Sequence, residues 1–395
     1  MTIATNAPPA AALTPGVEAV FPREEFDRRI AAARDIAAAR GIEVLALTGP
    51  ENIFYLTGQQ TPGYYTFQCL LLPVEGEPLF LIRQLESLNC RANSFVERIE
   101  TYQDDQQPAE ALVAALRRQG WLERKVAIEK RGWFLPIAFY EQLHGAMGEV
   151  GDAGGIVESL RMVKSGREIE MIENAAVCTD AGLEAGIAAV AAGASENDLV
   201  AAMLAASVGA GSEYMGMDPL VSSGPRGGIP HATWRRRRIE HGDGVFLEMA
   251  GCYNRYHAGL MRTAWIGKPP DEARRMMDAC LEGLDAALSA LKPGATCATV
   301  HAACQAVIDR YGYTDNYRKR TGYSMGISFA PDWGEGNIIS LFTGVETAVT
   351  PGMVFHIPPA LRIYGRFTVG VSETVVVTET GCRTLSRVAR DLVEA

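Results

Sequence analysis

The chain has 395 residues, more than one hydrophobic core usually organises, so two domains, or one with a large appendage, are expected. Its 48% apolar and 21% charged residues are ordinary globular usage, which excludes a disordered or fibrous chain. A formal charge of -10 offers no attraction to a phosphate backbone, and the one basic run, 235–238, is followed by Glu240 and Asp243; it reads as a solvated turn between strands, and nucleic acid is excluded as a partner.

Residues 1–16 lack the basic start and apolar stretch of an export signal, and Pro8, Pro9 and Pro15 interrupt them, so they read as a loose tail. Helical spacing follows over 24–40, then short buried strands at 44–47, 69–72 and 79–82 separated by Gly and Pro. A helix at 109–118, a strand at 125–129 and a helix at 136–147 continue an α/β alternation up to the small-residue stretch 151–155, where a domain boundary fits. The second half opens on a long helix over 165–191 and another over 196–208, with Ser195 as its N-cap. Strands at 246–256, 261–266, 353–357 and 373–378 then alternate with amphipathic helices at 270–291 and 299–311, which is an α+β arrangement. No stretch of eighteen apolar residues occurs, so no membrane-crossing helix is expected. The eight scattered cysteines include no CxxC pair and suit a reducing cytoplasm.

Segment 157–175, VESLRMVKSGREIEMIENA, resembles the entry to the catalytic domain of the creatinase, prolidase and methionine-aminopeptidase superfamily. GDGVFLEMAG, YHAGLMRT, TGYSMGIS, PGMVFHIPP and SETVVVTETG follow in that superfamily's order and at about its spacing. The resemblance implies an α/β N-terminal domain (17–156) and an α+β pita-bread C-terminal domain (157–395), of the creatinase/aminopeptidase kind, in a homodimer. It also implies that the loop 59–68 reaches a neighbour's site. Metal-dependent members hold two divalent ions through two Asp, one His and two Glu, because hard cations need several oxygen or imidazole ligands together. The matching positions here are Glu248, Gly259, Tyr323, Pro358 and either Ser372 or Glu373, a set too poor to hold paired ions, so no metal or other cofactor is expected.

Creatinase works without metal, and His231 matches its general acid/base. Its two active-site glutamates, however, fall on Met261 and Pro358 here, and its carboxylate-holding arginines fall near Thr66 and Gly334, so creatine is not the expected substrate. PHATW, FLEMAGCYNRYH, RTGYSMGISFAPDWGE and SETVVVTETG are more similar to the ectoine hydrolases, another metal-free branch. In that branch the residue matching Glu248 is implied to attack, or to activate water against, the amidine carbon of a cyclic substrate. Ala258 and Gly259 stand where those enzymes carry Cys-Pro, so the substrate is ectoine or a relative of it.

The residues themselves permit this chemistry. Opening a C–N bond without metal needs a nucleophile or activated water and a proton donor for the nitrogen, roles open to Glu248 and His231. Glu248 interrupts an apolar strand, where desolvation raises a carboxyl's pKa; such a glutamate is otherwise met by a buried arginine, here Arg262. His231 lies in a Gly- and Pro-rich loop of the kind that presents functional groups. Tyr323, Asp332 and Trp333 are candidates to line the substrate pocket, against the alternative of packing in core with Asp332 opening a turn. His257 and Arg262 are five apart on one strand and so face opposite ways, leaving one of them structural; His356 is a weaker candidate for the pocket. Glu373 either orients the substrate or pairs with an arginine. Rival readings are another amide or amidino hydrolase, an Xaa-Pro peptidase using a residual metal through Glu248 and Glu373, and a non-catalytic binding protein. The last sits poorly with an unpaired buried glutamate, which costs stability.

Overall fold

The computed structural model describes residues 14–317 and 319–395, and the chain divides into two compact units, Met1–Leu160 and Arg161–Ala395. In the first, six strands form one mixed sheet in the order Arg98–Tyr102, Leu79–Arg83, Gln68–Pro73, Val44–Leu47, Val126–Ile128, Gly151–Asp152. Val44–Leu47 is apolar at every position because it is buried on both faces, with an antiparallel neighbour on one side and a parallel one on the other. Helices Pro108–Arg118 and Ile137–Met147 cover one face, setting Leu112, Leu116 and Leu143 against Val44, Leu71 and Leu81.

The second unit is built on a four-stranded sheet: Val393–Glu394, Tyr256–Trp265, Gly244–Tyr253, Leu220–Ser223. Its two long strands form one hairpin, in register from Gly244 opposite Trp265 to Tyr253 opposite Tyr256. The expected strand at 246–256 is therefore corrected to end at Tyr253. Asn254 and Arg255, with φ of 49° and 65°, make a two-residue turn in the left-handed backbone region, whose geometry matches the right-handed twist of the strands it joins. Alternation divides the first strand: Val245, Leu247 and Met249 pack with Leu183, Val200 and Met203 of helices Gly166–Ala188 and Glu196–Gly209, while Phe246 and Glu248 face the other way, into a cleft. Ser195 caps the second of these helices in a reciprocal capping box with Asp198.

A five-stranded sheet, ordered Ser340–Leu341, Gly322–Ser324, Val354–Ile357, Glu373–Val377, Cys382–Thr384, packs with helices Asp271–Ala290 and Cys297–Arg310 in one core cluster. A separate small hairpin pairs Ala360–Ile363 with Phe367–Gly370. In the basic run Arg235, Arg236 and Arg238 are exposed, in keeping with a solvated turn, while Arg237 is half-buried and bonds Ser223 and Asp243. All eight cysteines are free, and among the described residues no helix is long and apolar enough to cross a membrane.

Candidate active site

Three elements of the second unit enclose the cleft that Glu248 faces. Leu220 and Ser222 come from the strand beside Glu248, in register with it; Arg362 and Thr368 come from the small hairpin; the third element is the loop carrying His231. The glycine-rich turn Gly224–Gly228 holds that loop in place. Thr368 donates to the Gly227 carbonyl at 2.5 Å, and a Cβ on Gly228 would collide with the Ile363 carbonyl, so only glycine lets this turn lie against the hairpin. Beyond it His231 takes a left-handed backbone, φ 54°, uncommon for a residue with a side chain and a strain that clusters at functional sites. His231 is exposed at the mouth of the cleft.

Glu248 is 9% exposed, yet among the described residues its carboxylate makes no hydrogen bond and no ion pair. Arg262 does not satisfy it. That arginine, fully buried, spends all five N–H groups elsewhere: on the carbonyls of Met261, Ser372, Val388 and Ala389 and on Glu373 at 3.0 Å. A buried carboxylate without a partner costs on the order of several kcal/mol. Burial pushes its pKa up, and the charges of Lys319 and Arg362 hold it partly down. Lys319 donates to the Pro358 carbonyl at 2.6 Å, and burial together with Arg362 lowers its own pKa to about 8. Arg362 is half-buried, its pKa lowered by burial and raised by Glu248.

Beside this cleft runs a neutral chain of polar groups. Trp333 donates its indole N–H to the Tyr323 hydroxyl at 2.9 Å; that hydroxyl meets His356 Nδ1 at 2.9 Å, and His356 Nε2 meets the Ser372 hydroxyl at 2.7 Å. Ser372 also accepts the Met261 N–H, directly across the sheet from Glu248. Burial drives His356 down to about 3, so the ring is neutral and bridges tyrosine and serine. Tyr323 is pushed up by burial and by the charge of Glu248, so its phenol keeps its proton.

The other expected site residues lie apart. His257 is fully buried, accepts the Gly216 N–H at 3.0 Å and meets the Arg255 carbonyl at 3.1 Å, so both His257 and Arg262 are structural rather than one of them facing the pocket. Glu373 takes the second of its expected roles, bonded by Arg262 and Arg390 at 3.0 Å each, on the opposite side of its strand from Ser372. Asp332 is exposed and caps its own turn by accepting the Trp333 and Gly334 N–H groups. Trp333 reaches the site only through Tyr323. Sequence reasoning missed Lys319 and Arg362. Lys319 was hidden as one of three basic residues in a row, and Arg362 sits in a strand of four residues, too short for its alternation to be read.

Comparison with known proteins places this geometry in a family. The model for metallopeptidase family M24 matches residues 170–379, and that for the creatinase/prolidase N-terminal domain matches 29–163. The chain belongs to the M24 family. Ectoine hydrolase of Halomonas elongata is 33% identical over 94% of this chain and 98% of its own. Xaa-Pro dipeptidase of Pyrococcus furiosus is 30% identical over 60% of this chain and 67% of its own. Among solved structures, dipeptidase PepE of Mycobacterium ulcerans superposes with a TM-score of 0.81 at 27% identity, covering 94% of this chain and 98% of that one. These relatives are hydrolases, and the fold is the expected creatinase N-terminal domain followed by a pita-bread domain.

Most of the M24 family's metal positions here lack a ligand. A Cβ on Gly259 would lie 3.0 Å from the His356 ring, so the imidazole fills the space a carboxylate there would need. Ser372, not Glu373, turns toward the cleft, and Pro358 offers only a carbonyl, already taken by Lys319. Among the described residues no three His, Cys, Asp or Glu side chains come together as a metal site. One carboxylate, a phenol and a hydroxyl beside two cationic side chains do not fit a pair of divalent ions.

Proposed function

We propose that the protein is a metal-independent hydrolase of a small compound with a C–N bond, opening the ring of ectoine or a related cyclic amidine. The carrying observation is Glu248, a buried carboxylate left without a hydrogen bond in a cleft it shares with His231. Glu248 delivers the electron pair to the carbon between the two nitrogens, directly or through a water it deprotonates. One C–N bond breaks, and His231 at the mouth of the cleft supplies the proton that the departing nitrogen takes; in the direct route a water then hydrolyses the Glu248 adduct, and in either route the proton that this one water leaves on Glu248 returns to His231. The net reaction adds OH to carbon and H to nitrogen. Tyr323, held by Trp333 and His356, hydrogen-bonds the oxygen that the carbon gains.

The 33% identity to ectoine hydrolase across nearly the whole chain supports the substrate class, and the departures at Ala258 and Gly259 favour a relative of ectoine as readily as ectoine itself. The test is to strip the purified protein with chelator and offer it ectoine, other cyclic amidines and Xaa-Pro dipeptides. Ring opening by the stripped protein is the expected result. Dipeptide cleavage that appears only when a divalent metal is restored would overturn the reading in favour of a peptidase.

A further inference from the structure

We propose that Arg362 anchors a carboxylate on the substrate, which makes the substrate an organic acid, zwitterionic where its ring is an amidine, whose reacting C–N carbon lies within reach of Glu248. The guanidinium lines the same cleft as Glu248 and His231, is half-buried, and among the described residues makes no side-chain hydrogen bond or ion pair. A planar fork of five donors held without a protein acceptor is matched by a carboxylate, which takes two parallel N–H bonds. The hairpin gives it a fixed base: Arg362 pairs across the hairpin with Thr368, which is itself bonded to Gly227 of the turn before His231. Anchor and proton donor are thus set on one rigid support.

The local charge points the same way. Lys319 and Arg362 carry two positive charges against the one negative charge of Glu248, leaving one unit of positive charge for the ligand. Lys319 donates to the Pro358 carbonyl and does not line the cleft, whereas Arg362 does, so Arg362 is the cation that meets the substrate. Without it, Glu248 would repel the carboxylate entering the cleft; with it, the carboxylate is drawn in and its position fixed relative to Glu248.

This rests on the hydrolase reading above, and the experiment separates the two. The full-length protein and its Arg362→Gln and Arg362→Lys variants are assayed on ectoine and on the same amidine ring without its carboxylate. The wild type should prefer the carboxylated ring in kcat/KM. Arg362→Gln should cut that preference about 10- to 100-fold, mainly through KM, the size expected for hydrogen bonds to a charged group, and Arg362→Lys should restore part of it. A preference unchanged in Arg362→Gln would overturn the anchor. If the wild type opens neither ring, the hydrolase reading fails, and the anchor is then judged by calorimetric titration with N-acetyl amino acids and their amides. Binding of the acids at least about tenfold more tightly than the amides, lost in Arg362→Gln, would support the anchor; equal binding of acids and amides by the wild type would refute it.

Discussion

Glu248 and Glu373 are both buried, and their surroundings give them opposite signatures. Glu373 neutralises Arg262 and Arg390, so Glu373→Gln should leave two arginines undercompensated and cost roughly 3 kcal/mol in denaturant unfolding. Glu248 has no such partner, and its pKa is raised, so its charge is carried at a cost to the fold. Glu248→Gln should therefore unfold at or above the wild-type temperature, the trade expected of a group kept for function. A melting temperature several degrees below wild type would show instead that the carboxylate is structural. The raised pKa also sets a pH dependence. Glu248 must be ionised to act, so activity should fall on the acid side at a pH above the ordinary carboxylate range. Lys319 favours the ionised form; in Lys319→Met that support is lost, the Glu248 pKa rises further, and the acid limb of kcat/KM should move to higher pH. A limb that stays in place or moves to lower pH would rule out the pairing of these charges.

At the scale of elements, the site depends on backbone that only glycine permits. Gly228→Ala would push the His231 turn off the small hairpin, so it should lower kcat/KM sharply while near-ultraviolet circular dichroism keeps its native form; unchanged activity would show that the turn tolerates the methyl group. Most long elements were legible because they carry a polar and an apolar side: helices Pro108–Arg118 and Asp271–Ala290 fall within about two residues of their expected bounds. Helix Pro50–Thr57 was not. Seven of its eight residues are buried, which leaves no polar face for periodicity to reveal. The short strands Leu220–Ser223 and Ala360–Ile363 were missed for a related reason, since four residues carry too little pattern to separate strand from loop. Glu248 and His231 were singled out by the family resemblance rather than by local pattern, and the structure sets both at one cleft. Arg262 as the partner of Glu373, and the turning of His257 away from the cleft, depend on which sheet faces meet, which spacing along one strand cannot tell.

For the whole molecule, the M24 relatives and the loss of family ligand positions bear on assembly and on metal dependence. In the first unit Tyr65, on the 59–68 loop, is 77% exposed and Trp133 is 84% exposed, large apolar surfaces of the kind buried at interfaces. We expect a homodimer by light scattering at micromolar concentration, and Tyr65→Ser with Trp133→Ser should weaken it; a monomeric wild type would leave those side chains without that role. The most direct test of the proposed chemistry is turnover of ectoine and related cyclic amidines by wild type and Glu248→Gln side by side, both in chelator. The wild type should remain active and the variant, folded, should lose at least about a hundredfold in kcat, the lower range for a general acid/base group. A folded Glu248→Gln protein with near-native turnover would contradict the assignment of Glu248 as the group that acts on the C–N carbon.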